Sequence, residues 1–220
     1  MPINNLLIDF DHTLFNTPQI KYEWAATMEE CGVPSGVFWQ TYPLARYGEG
    51  GKPSYNPRKH IELLVKYLNC PLEEALKKIE SVVQRSKDFL FPDAKAFLNR
   101  MISINVPMIL ILHGEKEYQE AKVQGAEIID YFERVYYSDK SRLQIVEELN
   151  LDPKYKIFWI SHALEDMLRI KKHFPFINPV IRRRFDVSLV RYRGANFLNF
   201  SNFEEIQEYL TIVQATSYNN

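Results

Sequence analysis

Asn5-Leu6-Leu7-Ile8-Asp9-Phe10-Asp11-His12-Thr13-Leu14 is the stretch that decides how this chain is to be read. Its short apolar run, closed by acidic and polar residues, reads as a fully buried strand, because it is too short for an independent helix. From Phe91 onward the same kind of run recurs in alternation with helical segments. Strands are expected over 107–112, 134–137, 155–160 and 188–192, and helices over 92–104, 116–125, 141–149, 164–173 and 202–210. Strands separated by helices of ten or so residues imply right-handed βαβ units and a parallel sheet.

Between Thr17 and Phe89 the pattern is different, with almost no strand signal. Ile20, Trp24, Met28 and Cys31 share one helical face, as do Ile61, Leu64, Val65 and Leu68 after the Asn56-Pro57 start signal. Leu72, Ala75, Leu76, Ile79 and Val82 make a third stripe. The expected fold class is therefore α/β, a Rossmann-like parallel sheet with an inserted all-helical cap. The core would comprise 1–16 and 90–214, and the cap 17–89. Within the cap, Arg46-Tyr47-Gly48-Glu49-Gly50-Gly51-Lys52-Pro53 reads as a mobile charged loop, and the tail Ser217-Tyr218-Asn219-Asn220 as frayed.

Bulk properties narrow the function classes. With 27 basic and 28 acidic side chains among 220 residues, no global field favours nucleic acid or an acidic membrane. Arg182-Arg183-Arg184 reads as a solvated strand end, and Trp24, Trp39 and Trp159 as core packing. No aromatic stripe for base stacking is seen. No run of about 18 apolar residues is present to span a bilayer, and the opening run lacks the basic flank of a signal peptide. Cys31 and Cys70 are too few and too separated in sequence for a disulfide framework or zinc knuckle, which implies a reducing cytoplasm.

In open parallel sheets ligands bind beyond the carboxyl ends of the strands. The residues placed there are Asp9-Phe10-Asp11-His12-Thr13, His113-Gly114-Glu115, Ser138-Asp139-Lys140 and Ser161-His162-Ala163-Leu164-Glu165-Asp166. Carboxylates two positions apart repel each other by about 4 kcal/mol at 4 Å and an effective dielectric near 20, so a divalent cation and a lysine are expected beside them. Oxygen ligands favour magnesium. Asp9 would attack phosphorus, Asp11 would act as acid and then base, and Lys140 would offset the charge. Backbone amides near Phe10–Asp11 and His113–Gly114 would cradle phosphate oxygens.

These residues resemble the motifs of the haloacid dehalogenase superfamily. Ile8-Asp9-Phe10-Asp11-His12-Thr13-Leu14 is similar to its first motif, hydrophobic-Asp-x-Asp-x-Thr-hydrophobic. Lys140 fits the third, and Phe158-Trp159-Ile160-Ser161-His162-Ala163-Leu164-Glu165-Asp166 looks like the fourth. The resemblance covers roughly 4–210. It implies Asp9 as nucleophile, Asp11 as acid/base with its carbonyl on the metal, and a metal set of Asp9, Asp11, Asp166 and His162 around magnesium, manganese or another divalent cation.

Two positions depart from the family pattern. Leu112 stands where the second motif carries Ser or Thr, leaving His113 as partial substitute, and His162 stands where the fourth carries Asp. A surface pairing of Asp166 with Arg169 is the ordinary alternative for that acid. The function implied is hydrolysis of a small phosphorylated metabolite through an aspartyl-phosphate. Three alternatives remain open: a catalytically weak phosphate-ligand binding protein, a phosphomutase, and carbon–halogen cleavage, in which Asp11 would have little purpose.

Overall fold

The structure is a computed structural model and describes residues 2–47, 55–194 and 197–216. Most of the expected Gly-rich loop, Gly48 to Pro53, and the tail from Ser217 lie outside the described residues. Six strands, β1 (Ile3–Asp9), β2 (Met108–His113), β3 (Arg134–Ser138), β4 (Lys156–Ser161), β5 (Ile177–Arg182) and β6 (Leu198–Phe200), form one sheet in the order β3-β2-β1-β4-β5-β6. Every ladder is parallel.

Period-two alternation divides this sheet into two cores. Leu6 and Ile8 of β1, Leu110 and Leu112 of β2, and Phe158 and Ile160 of β4 face α5 (Ala94–Ser103), α6 (Lys116–Ala126) and α10 (Phe203–Thr216). The odd-numbered residues between them, Leu7, Ile109, Ile111, Ile157 and Trp159, face α7 (Arg142–Leu149) and α8 (Leu164–His173). Central strands buried on both faces explain why they read as continuous apolar runs. Removing each Leu or Ile from water contributes about 1.5–3 kcal/mol.

The segment between β1 and α5 is helical among its described residues: α1 (Thr17–Glu30), α2 (Ser35–Arg46), α3 (Pro57–Leu64) and α4 (Leu72–Gln84), with 3₁₀ turns at Val65–Tyr67 and Ser86–Phe89. Asn16 and Asn56 cap α1 and α3 by accepting from Gln19 N and Lys59 N. The segment leaves and rejoins the core at one point. There Phe15 bridges Leu90, Asn16 N donates to Phe89 O at 2.7 Å, and Phe91 N donates to Leu14 O at 2.9 Å. Cys31 and Cys70 are free thiols within this segment, and the fold brings them into contact despite their sequence separation.

Four sequence expectations need correction. The strand expected over 188–192 is instead the short helix α9 (Val190–Arg193), and β5 and β6 complete the sheet. Pro179 disguises β5, since proline removes a ladder donor, and β6 begins pairing only at Val180. Helix α2, carrying an internal Pro43, has no counterpart among the helices expected from the sequence, since proline within a helix removes a backbone donor. Arg182 is no solvated strand end: it is 6% exposed, its guanidinium 3.4 Å from the centroid of the Phe91 ring. No helix among the described residues is long and apolar enough to cross a membrane.

Gly125 on α6 lets that helix approach the end of α4 closely. A Cβ there would stand 2.4 Å from Val83 O and 2.9 Å from Gln84 O, both rigid backbone atoms. Gly125→Ala is expected to destabilise the fold by about 1–3 kcal/mol through overpacking, despite a helix-propensity gain of about 1 kcal/mol. Urea denaturation of the variant beside the native chain checks this.

Candidate active site

β1 ends at Asp9, and the chain then turns: Thr13, Leu14 and Phe15 all donate their amides to Phe10 O. Asp9 therefore keeps the strand's alternation and faces the α7 and α8 side. The turn carries Asp11 over to α6. Their spacing implies a divalent cation and a lysine beside both carboxylates; instead Asp9 pairs with Arg142 and Asp11 with Lys122.

Asp9 is 2% exposed. Its Oδ1 accepts from Trp159 Nε1 at 2.9 Å, and its Oδ2 accepts from Ser161 Oγ at 2.6 Å. Arg142 adds Nη2 at 2.7 Å and Nε at 3.2 Å to the same Oδ2. Burial is the largest influence and works against ionisation of this carboxyl, but the Arg142 guanidinium, His113, His162 and the Ser161 hydrogen bond together outweigh it and hold the group below the usual carboxylate range. Arg142 Nη1 reaches Asp166 Oδ2 at 2.5 Å, so Asp166 pairs with Arg142 rather than with Arg169.

Asp11 is held from the opposite face. Lys122 Nζ stands 2.6 Å from its Oδ1, Thr17 Oγ1 donates to the same oxygen at 2.8 Å, and Gln119 Nε2 donates to Oδ2 at 3.0 Å. Burial, the largest single influence, opposes the charge, but Lys122, the Thr17 hydrogen bond and His12 together more than offset it, so Asp11 lies well below its ordinary value. Lys122 is 2% exposed and lies 4.8 Å from the Phe15 ring centroid and 5.1 Å from that of Phe10. Burial in turn brings its ammonium down from its ordinary value.

The expected phosphate-binding and catalytic set is met only in part. Lys140 does not touch Asp9; it is half-exposed at the cavity rim, paired with Glu148. Arg142, two residues later and inside the first turn of α7, takes the place expected of it. Phe10 N donates to Ile111 O and Gly114 N to Ser138 O, so neither amide is open to a phosphate. Gly114 adopts φ +124°, open to glycine, where a side chain would crowd Gln119. His113 lies on the cavity wall with Nε2 buried and without a partner among the described residues. Leu112 is buried in the core.

The expected metal set does not fit magnesium. Among the described residues no three His, Cys, Asp or Glu side chains are grouped to hold a metal ion. Asp9 and Asp166 are separated by the Arg142 guanidinium, Asp11 turns to Lys122, and His162 Nδ1 lies 3.3 Å from Thr13 Oγ1. Four donors fill the Asp9 carboxylate, which offers about four lone-pair positions.

Several of these partners had some trace in the sequence. Trp159 and Ser161 share the parity of Asp9 across the parallel register, which Trp159, read as core packing, concealed. Ala126 and Val123 define the buried stripe of α6, and the helical spacing places Lys122 and Gln119 on it. Only the fold could say that those two polar groups meet Asp11.

Above the carboxylates lies a cavity of about 500 Å³, within the size range of small-molecule sites. The helical segment contributes Lys21, Trp24, Tyr42, Arg46 and Tyr55 to its wall. Tyr55 stacks on Tyr42 and Trp24 at 4.8 and 5.1 Å between centroids. Burial, and then the Arg46 charge, bring the Lys21 ammonium down to about 8.

Comparison with solved structures agrees with this architecture. A protein from Burkholderia xenovorans LB400 described as a haloacid dehalogenase-like hydrolase superposes with a TM-score of 0.70 at 19% identity, over 94% of this chain and 96% of that one. The fold is that of the haloacid dehalogenase superfamily. L-2-haloacid dehalogenase from Xanthobacter autotrophicus, with chloropropionic acid covalently bound, matches at TM-score 0.63 and 14% identity over 95% and 98% of the two chains. A Thermotoga maritima protein described as a β-phosphoglucomutase matches at 0.63 and 17% over 96% and 100%. No protein-family model matches the sequence, and no curated protein matches it.

Two outcomes are expected from this geometry. Lys122→Met removes the cation facing the half-buried Asp11, leaving Thr17 and Gln119 as its donors, and should destabilise the fold by about 1–3 kcal/mol, measured by urea denaturation. The second concerns acid. Burial holds His12 at about 3 and His60 and His162 at about 4, below the 6.5 of an unfolded histidine. Below pH 6.5 the unfolded chain therefore binds more protons than the folded one. Stability should be full above that pH and fall by about 1.4 kcal/mol per pH unit for each such histidine towards pH 4. His60→Asn, which breaks the ring's contacts to Thr41 and Tyr55, should lower stability at pH 7.5 but flatten the decline between pH 6.5 and 4.5.

Proposed function

We propose that this chain is a hydrolase that transfers the phosphoryl group of a small phosphomonoester to Asp9 and then to water. The observation that carries this reading is the position of Asp9. It ends a central strand on the wall of the cavity, among the cationic groups Lys21, Lys122, Lys140 and Arg142. Trp159 and Ser161 fix the orientation of its carboxylate, and an ordered nucleophile reduces the entropy to be lost in reaching the transition state.

Attack by an Asp9 oxygen forms the acyl-phosphate while the bond between phosphorus and the leaving oxygen breaks. That oxygen takes the proton which Lys122 holds against Asp11. Water then attacks phosphorus, its proton restores the Lys122–Asp11 pair, and inorganic phosphate leaves with Asp9 regenerated. Arg142 lies where it can stabilise charge on the transferring group. The β-phosphoglucomutase description of one fold neighbour is in keeping with phosphoryl transfer on such a scaffold.

A second reading, hydrolytic carbon–halogen cleavage, is favoured by one observation. Asp11 is fixed by Lys122, Gln119 and Thr17, and a departing halide needs no proton. The covalently bound chloropropionic acid of the Xanthobacter dehalogenase belongs to that chemistry. Phosphate and halide release should be measured side by side, on an aryl phosphate, a panel of phosphorylated metabolites and short 2-halo acids. The expected result is phosphate release that falls by about three orders of magnitude or more in Asp9→Asn. Halide release alone would transfer the assignment to the second reading. Release of neither would leave a protein that binds an anionic ligand without turning it over.

A further inference from the structure

We infer that Arg142 is the resident cation of this site, its guanidinium standing where a divalent metal would bridge the acids, so that the site holds its anion without metal. The inference deepens the reading above but can be judged without turnover. Its basis is the contact set of one side chain. Arg142 Nη2 and Nε meet Asp9 Oδ2 at 2.7 and 3.2 Å, and Nη1 meets Asp166 Oδ2 at 2.5 Å. Asp9 comes from β1 and Asp166 from α8, so one guanidinium joins acids from two separate elements, as a bridging cation would.

The remaining donors leave little room for a second cation. Asp9 also accepts from Ser161 and Trp159, and Asp11 is engaged by Lys122, Thr17 and Gln119. Position in the helix supports the same conclusion. Arg142 is the first residue of α7, whose start is secured by a reciprocal Ser141–Gln144 capping box. A cation in the first turn opposes the helix dipole, so its place there reflects the two carboxylates rather than helix stability. The side chain is only 15% exposed, which makes its pairing strong and its replacement consequential.

Guanidinium also suits the task chemically. It carries five N–H donors, of which three are engaged by the carboxylates, leaving one on each terminal nitrogen. Two such donors match the oxygens of a phosphate-like anion. The His113 Nε2 atom, buried on the same cavity wall without a partner among the described residues, is a further polar group that a bound anion would satisfy.

The test is titration calorimetry on the full chain with two probes, Mg²⁺ alone and inorganic phosphate, the latter in EDTA and in excess Mg²⁺. The native chain is expected to give no heat with Mg²⁺ and the same phosphate affinity, within twofold, in both buffers. Arg142→Met, checked for folding by circular dichroism, should bind phosphate at least tenfold more weakly in EDTA. It should also gain a Mg²⁺ site that Asp166→Asn removes. Mg²⁺ binding by the native chain that Asp9→Asn abolishes would overturn the inference, and so would phosphate binding that requires Mg²⁺ or fails in both buffers. A folded Arg142→Met that stays indifferent to Mg²⁺ would also count against it. If Arg142→Met does not fold, the native titrations decide alone. Absence of turnover on every substrate defeats the proposed hydrolase and leaves this result standing, so the two failures are distinguishable.

Discussion

A carboxylate almost wholly withdrawn from water, at the end of a central parallel strand, is the constraint on which the rest of this structure depends. An isolated charge in that position is prohibitively unfavourable, and only several donors from different parts of the chain can hold it. Asp9 obtains them from β4, through Trp159 and Ser161, and from α7, through Arg142. Arg142 extends the network to α8 through Asp166. Two strands and two helices on one face of the sheet are thus joined at the place where chemistry is expected.

The turn after Asp9 produces a second, separate network on the opposite face. Had the strand continued, alternation would have placed Asp11 beside Asp9, with mutual repulsion to relieve. Instead Asp11 meets a lysine sunk among aromatic rings of α6 and the turn itself. Each acid has its own organic cation, and the chain supplies charge balance that the motif alone would assign to a metal.

The inserted helices close the space above these networks with an aromatic wall and with Lys21, whose proton is held less firmly because of burial and Arg46. A stacked Tyr42–Tyr55–Trp24 series builds that wall, and the Phe15–Leu90 bridge ties the segment to the chain that follows the strand bearing Asp9. The two walls of the candidate site are therefore contributed by adjoining stretches of chain.

The sequence by itself determined the fold class and the sheet edge at which the candidate site is placed. Apolar runs of strand length alternating with helical stripes specify a parallel sheet, and such a sheet concentrates its polar loops at one edge, where Asp9, Asp11 and Asp166 were found. β5 escaped because Pro179 violates the strand pattern that its neighbours satisfy. What only the tertiary structure decided is which groups touch. Lys140 and Arg142 are both basic residues at the start of one helix, and a two-residue difference at a helix terminus determines whether a side chain meets solvent or the buried acid. Lys122, Gln119, Trp159 and Ser161 lie far from the first motif in sequence. Their role depends on strand register and helix rotation, which sum over the whole packed core and which no local pattern of residues encodes.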